Sequence, residues 1–261
     1  MSATPDPITG DLSFVISPSK GEAPRLADAL DSICRLCERK KVLLVFDEFQ
    51  DIHGIPEVLA AFRSRLQRLK TTPMLFLGSK RKLLSEIFSS RNSPFFNFAE
   101  EHILHPIGLE DWMPFFATRL KAVGSKIEKA ALKRLCDEAM NVPNTICEIG
   151  AFIMDHYPKC TVTEEVFLKI LSDLIDKKSE TYRYQLSLLS ENELKVCKAL
   201  ARTPFTRNIN GKEFLLSASI GASSAAKTVH KLYHAGVIEE ETAGYRLSNP
   251  ILSLFLKYRS Y

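Results

Sequence analysis

Through its first hundred residues the chain alternates short apolar runs with longer stretches whose apolar positions recur every three or four residues. Four runs predict strands, at 12–16, 42–46, 74–77 and 102–107. The stretches between them predict helices. One at 24–39 gathers Leu26, Leu30, Ile33, Leu36 and Cys37 on one face. Another at 56–69 gathers Leu59, Phe62, Leu66 and Leu69 behind Pro56, a residue suited to a first helical turn. A third is expected at 80–88. Strand and helix alternating at this spacing describe a parallel sheet with crossover helices. The run at 42–46 has no polar position, which predicts a strand buried on both faces.

Beyond Gly108 the strand signals stop. Helical periods run through 109–123, 126–140, 144–156 and 164–177, punctuated by Gly124 and Pro143, and predict a small helical lid or bundle. The polar segment 179–184 predicts a connector and a domain boundary. The tail opens on Ser190-Glu191-Asn192-Glu193, spaced as a capping box, with a helix to about Ala201. A short helix is expected at 211–217 and a third at 223–235, closed by Gly236. Strands at 237–240 and 245–247 flank Thr242-Ala243-Gly244. Three helices and a hairpin in that order describe a winged helix-turn-helix. The expected organisation is an α/β core at 1–108, a helical lid at 109–180 and a winged-helix domain at 181–261.

A length of 261 residues accommodates two modest domains, or one domain with an appendage. The hydrophobic fraction of 45% and charged fraction of 25% are ordinary for a soluble globular protein. The net charge of +4 is unevenly placed. Residues 181–261 hold 11 Lys or Arg against 6 Glu and no Asp, whereas the first 180 residues hold 24 basic and 25 acidic residues. A basic tail on a near-neutral body permits nucleic-acid contact. No run of 18 apolar residues marks a membrane-spanning helix, and Met1 to Gly10 carry no basic, apolar pre-sequence. The six cysteines are scattered, mostly in apolar helical patterns, and read as buried reduced thiols of a cytoplasmic protein. Cys34 and Cys37 form a C-x-x-C without the second pair or nearby His that a zinc site needs.

Chemistry concentrates after the run at 42–46. Asp47 and Glu48 stand at its carboxyl end, where open α/β sheets place their sites. In a nucleotide-hydrolysing α/β domain the first such carboxylate helps hold Mg²⁺ through its water shell. The second orients or deprotonates the attacking water. Ser79 ends the next strand, with a hydroxyl placed to watch a γ-phosphate or position water, and Arg91 lies in the loop after the following helix. Each also has a plainer reading: a solvated helix start, a turn residue, a surface charge. No G-x-x-x-x-G-K-[ST] loop occurs in the sequence. Gly78-Ser79-Lys80, Gly124-Ser125-Lys126 and Gly211-Lys212-Glu213 lack the spacing and the Lys-Ser/Thr ending that cradle phosphates.

Several motifs now fall in order. Leu43-Leu44-Val45-Phe46-Asp47-Glu48-Phe49-Gln50 reads as Walker B, and Leu75-Phe76-Leu77-Gly78-Ser79 reads as a sensor-1 strand. Ser93-Pro94-Phe95-Phe96 and Leu104-His105-Pro106-Ile107 follow, then Asn141-Val142-Pro143 in the lid. Together they resemble the prokaryotic AAA-type ATPases of the STAND kind, near the group called archaeal ATPases. The resemblance spans nearly the whole chain after the first ten residues and extends to the winged-helix tail. It implies an incomplete P-loop NTPase (AAA-type) parallel sheet ordered 5-1-4-3-2, with a helical lid, binding ATP and Mg²⁺. By the same resemblance Asp47 serves Mg²⁺ through water, Glu48 is the catalytic residue acting on water, Ser79 senses the γ-phosphate and Arg91 contacts phosphate. Family members carry a strand, a Gly-rich phosphate loop and a helix ahead of the segment matching 12–16, where 11 residues stand here. The expectation is a truncated copy that does not hydrolyse ATP unaided.

If the tail reads DNA, its third helix enters the major groove. Ser223, Ser224, Lys227, Thr228 and Lys231 then form a polar face, with Ala226, Val229 and Leu232 turned inward. Glu239, Glu240 and Glu241 on the wing would repel a phosphate backbone. This leaves a second reading, a non-catalytic regulator whose tail binds DNA or a partner protein.

Overall fold

The apolar run ahead of Asp47 forms a strand, as its pattern predicts, in the computed structural model, which describes residues 2–5, 12–15 and 23–259 apart from residue 242. The chain divides into two units, Met1–Leu104 and His105–Tyr261. In the first, the elements in order are β1 (Ser2–Pro5), β2 (Leu12–Val15), α1 (Ala23–Arg39), β3 (Leu44–Phe46), a 3-10 turn (Phe49–Ile52), α2 (Pro56–Leu66), β4 (Met74–Phe76) and α3 (Arg81–Ser89). β3 and β4 pair in parallel, with Leu44 opposite Met74 and Phe46 opposite Phe76.

Because side chains alternate across a strand, Leu44, Phe46, Met74 and Phe76 turn to one face. There they pack on Leu30 of α1, Phe62 and Leu66 of α2, Ile87 of α3, and Phe49 and Phe95. Phenylalanine dominates this core. Phe46 stacks on Phe76 with centroids 5.0 Å apart, and Phe49 meets Phe76 edge-on at 4.7 Å. Phe95, with no exposed surface, touches the rings of Phe49, Phe76, Phe88 and Phe98.

Three expectations change here. The strand at 42–46 is not buried on both faces: Leu43, Val45 and Leu75 are 58%, 51% and 46% exposed, because the helices of this unit cover only the other face. The first predicted strand is not part of the parallel sheet but pairs antiparallel with β1, Leu12 opposite Pro5. A neighbour so close in sequence closes a short loop at low entropic cost. Residues 102–107 form no strand. β3 and β4 have only each other as ladder partners among the described residues, and Leu104 is 85% exposed. An apolar run with no neighbour to receive its backbone hydrogen bonds stays irregular. Ile16, at the end of the first predicted strand, and Thr242, in the predicted turn of the tail, lie outside the described residues.

The second unit contains α4 (Leu109–Lys121), β5 (Lys126–Ile127), α5 (Lys129–Glu138), α6 (Pro143–His156), β6 (Thr161–Val162), α7 (Glu164–Ser187), α8 (Glu191–Arg202), α9 (Lys212–Ala218), α10 (Ala222–His234), β7 (Ile238–Glu241), β8 (Gly244–Leu247) and α11 (Pro250–Tyr258). β5 pairs in parallel with β6, while β7 and β8 form the antiparallel wing, Ile238 opposite Leu247. Segment 179–184 forms no loop. It lies inside α7, because Tyr182 and Leu186 continue the buried stripe of Phe167, Ile170, Leu171, Leu174 and Ile175. One apolar cluster runs from Trp112 and Phe116 of α4 through α7 to Val196, Leu200, Val229 and Phe255. The final helix α11 was not anticipated. Asn249 caps it, its side chain accepting from the N–H groups of Ile251 and Leu252 at 3.0 Å, and Pro250 occupies the first turn.

All six cysteines are free. Burial raises the thiols of Cys34 and Cys37 above their ordinary value and pushes Cys197 up to about 12, so these are inert packing groups. No helix among the described residues is long and apolar enough to cross a membrane.

Replacing Phe95 with Ala removes a ring fully enclosed by other rings and is expected to cost about 3–5 kcal/mol. Leu104→Ala, at an exposed position, is expected to stay within about 0.5 kcal/mol. Chemical denaturation of the two variants beside the wild type checks the contrast.

Candidate functional site

The parallel register brings the carboxyl ends of β3 and β4 level. Past the ladder, the Leu77 N–H donates to Phe46 O at 2.8 Å and the Phe49 N–H donates to Leu77 O at 2.9 Å. The chain turns sharply between these bonds. Glu48 sits at φ 50°, ψ 39°, a left-handed conformation uncommon outside Gly, Asn and Asp. Strain of this kind, of order 1–3 kcal/mol, persists where the surroundings over-determine the backbone. Here Phe49, 4% exposed, anchors the turn into the aromatic core.

The turn aims Glu48 across to the end of β4. Its Oε2 accepts from the Ser79 hydroxyl at 2.9 Å and, more weakly, from the Ser79 N–H at 3.5 Å. The same oxygen accepts from Gln50 Nε2. Gln50 is buried, with its Oε1 lacking a hydrogen-bond partner among the described residues. Bonds from Gln50 and then Ser79, with a smaller electrostatic contribution from Lys80, hold the Glu48 carboxyl below its usual range against the opposing cost of partial desolvation. Asp47 is exposed and its Oδ1 accepts from the Glu48 N–H at 3.0 Å. A Cβ added at Gly78 would overlap Gln50 Oε1 and lie 3.1 Å from Leu84, so a side chain at 78 would require the Gln50 amide to move.

Of the four residues singled out in the sequence, then, Glu48 and Ser79 are bonded and Asp47 is adjacent. Arg91 is exposed in the turn after α3, and no hydrogen bond or ion pair joins it to the other three among the described residues. Sequence reasoning quoted Gln50 and Gly78 within motifs but gave them no role. Only their mutual approach reveals one. Chemically, an ionised carboxylate with a hydroxyl beside it can orient a water molecule. A lowered pKa makes it a weak base while those donors are in place. The exposed carboxylate of Asp47 fits a hydrated divalent cation, which binds through one or two carboxylates and keeps several waters. The residues present do not fit a polyphosphate: the sequence has no glycine-rich cradle, and two carboxylates repel one.

In the tail, α10 buries Ala225, Val229 and Leu232, so Ala225 rather than Ala226 lies inward. Ser223, Ser224, Lys227 and Lys231 are exposed and Thr228 is half-buried. Lys231 is already engaged, its Nζ 2.7 Å from Glu193 Oε1. The capping box forms as spaced, Ser190 N and Oγ each donating to Glu193 Oε2 at 2.7 Å. Wing charge is offset from within. Arg246, 6% exposed at its side chain, pairs with Glu239 and with Glu241, the latter at 2.7 Å.

The fold is that of a P-loop ATPase with a small parallel sheet, followed by a C-terminal winged helix. A family model described as a probable winged helix domain matches residues 180–258. Among solved structures the chain is similar to a Walker-type ATPase of Pyrococcus abyssi, at 18% identity and a TM-score of 0.59, over 93% of this chain and 72% of that one. It also aligns with the RuvB Holliday junction branch migration motor of Thermotoga maritima, at 16% identity and a TM-score of 0.43, over 90% and 76% of the two chains. No curated protein matches the chain.

Lys231 and Ser190 depress the Glu193 carboxyl to about 2, far below its ordinary 4.5. A depressed folded value means the contribution is complete above the unfolded value and is lost as pH falls from about 4.5 through about 2. Glu193→Gln is therefore expected to flatten the acid side of the stability profile and to lower stability at neutral pH. Melting temperature followed in both proteins from about pH 7 down to about pH 2 checks this.

Proposed function

We propose that the chain is an ATPase homologue of the AAA/STAND type, in which Asp47, Glu48 and Ser79 form the Walker B and sensor-1 half of a nucleotide site. The observation that carries this reading is the bond from Ser79 to Glu48 across the level ends of two parallel strands. In an intact relative Asp47 would hold Mg²⁺, Glu48 would orient the attacking water, Ser79 would sense the γ-phosphate and Arg91 would contact phosphate. The sequence contains no G-x-x-x-x-G-K-[ST] phosphate loop.

Phosphoryl transfer depends on fixed positioning and charge neutralisation of the β- and γ-phosphates, most of which a phosphate loop supplies. The 261-residue chain is therefore expected to give no measurable Mg-dependent ATP turnover in a steady-state assay. Turnover abolished by Glu48→Gln would show that a cradle is formed after all. Tight Mg-ATP binding that survives both Asp47→Ala and Glu48→Ala would remove the assignment of the site.

A second reading is that the chain acts as a non-catalytic regulator whose tail binds DNA. Two observations favour it: Ser223, Ser224 and Lys227 lie exposed along α10, and Arg246 pairs with two of the wing's three glutamates. Titration of the full chain with duplex DNA at several salt concentrations is expected to give salt-dependent binding. Lys227→Ala should reduce the salt slope by about 1 if Lys227 meets a phosphate. Lys231→Ala should have less effect, because its charge is spent on Glu193. Absence of salt-dependent binding would leave a protein partner as the tail's ligand.

A further inference from the structure

The last two turns of α10 carry His230 and His234, one helical turn apart on the exposed face. Their Nε2 atoms approach to 3.0 Å and their ring centroids to 4.3 Å, so the two imidazoles are paired through these nitrogens at the surface. The Tyr233 ring meets His234 edge-on at 5.6 Å and limits how that imidazole turns. With metal–nitrogen bonds of about 2.05 Å, nitrogens this far apart subtend about 95° at a shared ion. That is the cis angle of tetragonal or octahedral coordination and falls short of the tetrahedral angle that Zn²⁺ adopts. The helix end adds the negative pole of its dipole, which favours a cation there.

We propose that His230 and His234 form a bidentate site for a divalent transition-metal ion, taking Cu²⁺ or Ni²⁺ in preference to Zn²⁺. In the free pair one ring donates its Nε2–H to the other ring's Nε2 lone pair. On binding, the donor ring exchanges that proton through solvent to its Nδ1, and both Nε2 lone pairs face the ion. Water fills the remaining coordination positions. The site is independent of the carboxylates at the ends of β3 and β4, and its test needs neither nucleotide nor DNA.

Isothermal titration of the untagged chain with NiCl₂ or CuCl₂ is expected to show one saturable site, weaker for ZnCl₂. Each of His230→Ala and His234→Ala should lose roughly a hundredfold in affinity, because a preorganised second ligand acts at high effective concentration. His156→Ala, a control on α6, should bind as the wild type does. Bound metal should also raise the melting temperature of the wild type and leave that of His230→Ala/His234→Ala unmoved, with all metal-free proteins melting alike. No saturable binding by the wild type, or binding by the double variant within a few-fold of it, would overturn the proposal.

Discussion

Packing of one face of β3 and β4 on a core of phenylalanine rings determines where everything else in the first unit stands. Phe46 and Phe76, opposite one another in the ladder and stacked, are the last residues of their strands. Each aromatic pair contributes about 0.5–1.5 kcal/mol beyond its buried area, so the network around Phe49 and Phe95 resists any slip of register. A slip of one residue would also exchange Val45 for Phe46 on the covered face. With the strands locked level, Asp47-Glu48 and Gly78-Ser79 leave the sheet side by side. Phe49, pinned in the core, forces the intervening Glu48 into its left-handed turn. The polar geometry is thus a product of apolar packing beneath it.

The second unit is organised differently. Its long helix α7 passes without interruption from the small helical group into the winged-helix segment, and its buried stripe faces both. Tyr182 packs on Phe255 of α11, which ties α11 to the C-terminal turns of that helix. Arg259 adds a polar clamp of the same kind, donating to Asp176 at 2.8 and 3.0 Å. At 1.5 Å per residue, α7 is a rod about 36 Å long. No loop breaks it where a hinge would otherwise sit.

The alternating pattern of the first hundred residues was enough to expect an α/β unit. Capping and turn signals were enough to expect the winged helix, down to the Ser190–Glu193 box. What escaped was whatever depends on a neighbour distant in sequence. Five consecutive apolar residues at 42–46 look doubly buried, because composition cannot say how many helical layers will cover them. Polar Ser179 and Glu180 look like a linker, although Tyr182 and Leu186 keep the helical period of α7. Glu239 and Glu241 look like bare negative charge because Arg246 answers them from the facing strand. In the candidate site, strand ends pointed to Asp47, Glu48 and Ser79, but the buried amide behind them had no signature of its own.

Gln50 and Gly78 illustrate what such a contact imposes on its surroundings. Gln50 fills the volume that a side chain at 78 would need, and its amide steadies Glu48 from below. A larger residue at 78 would displace the Gln50 amide, and that shift would disturb the donor to Glu48. The space left by a glycine of no chemical function thus decides where an amide 28 positions earlier can stand, and through it how Glu48 is held.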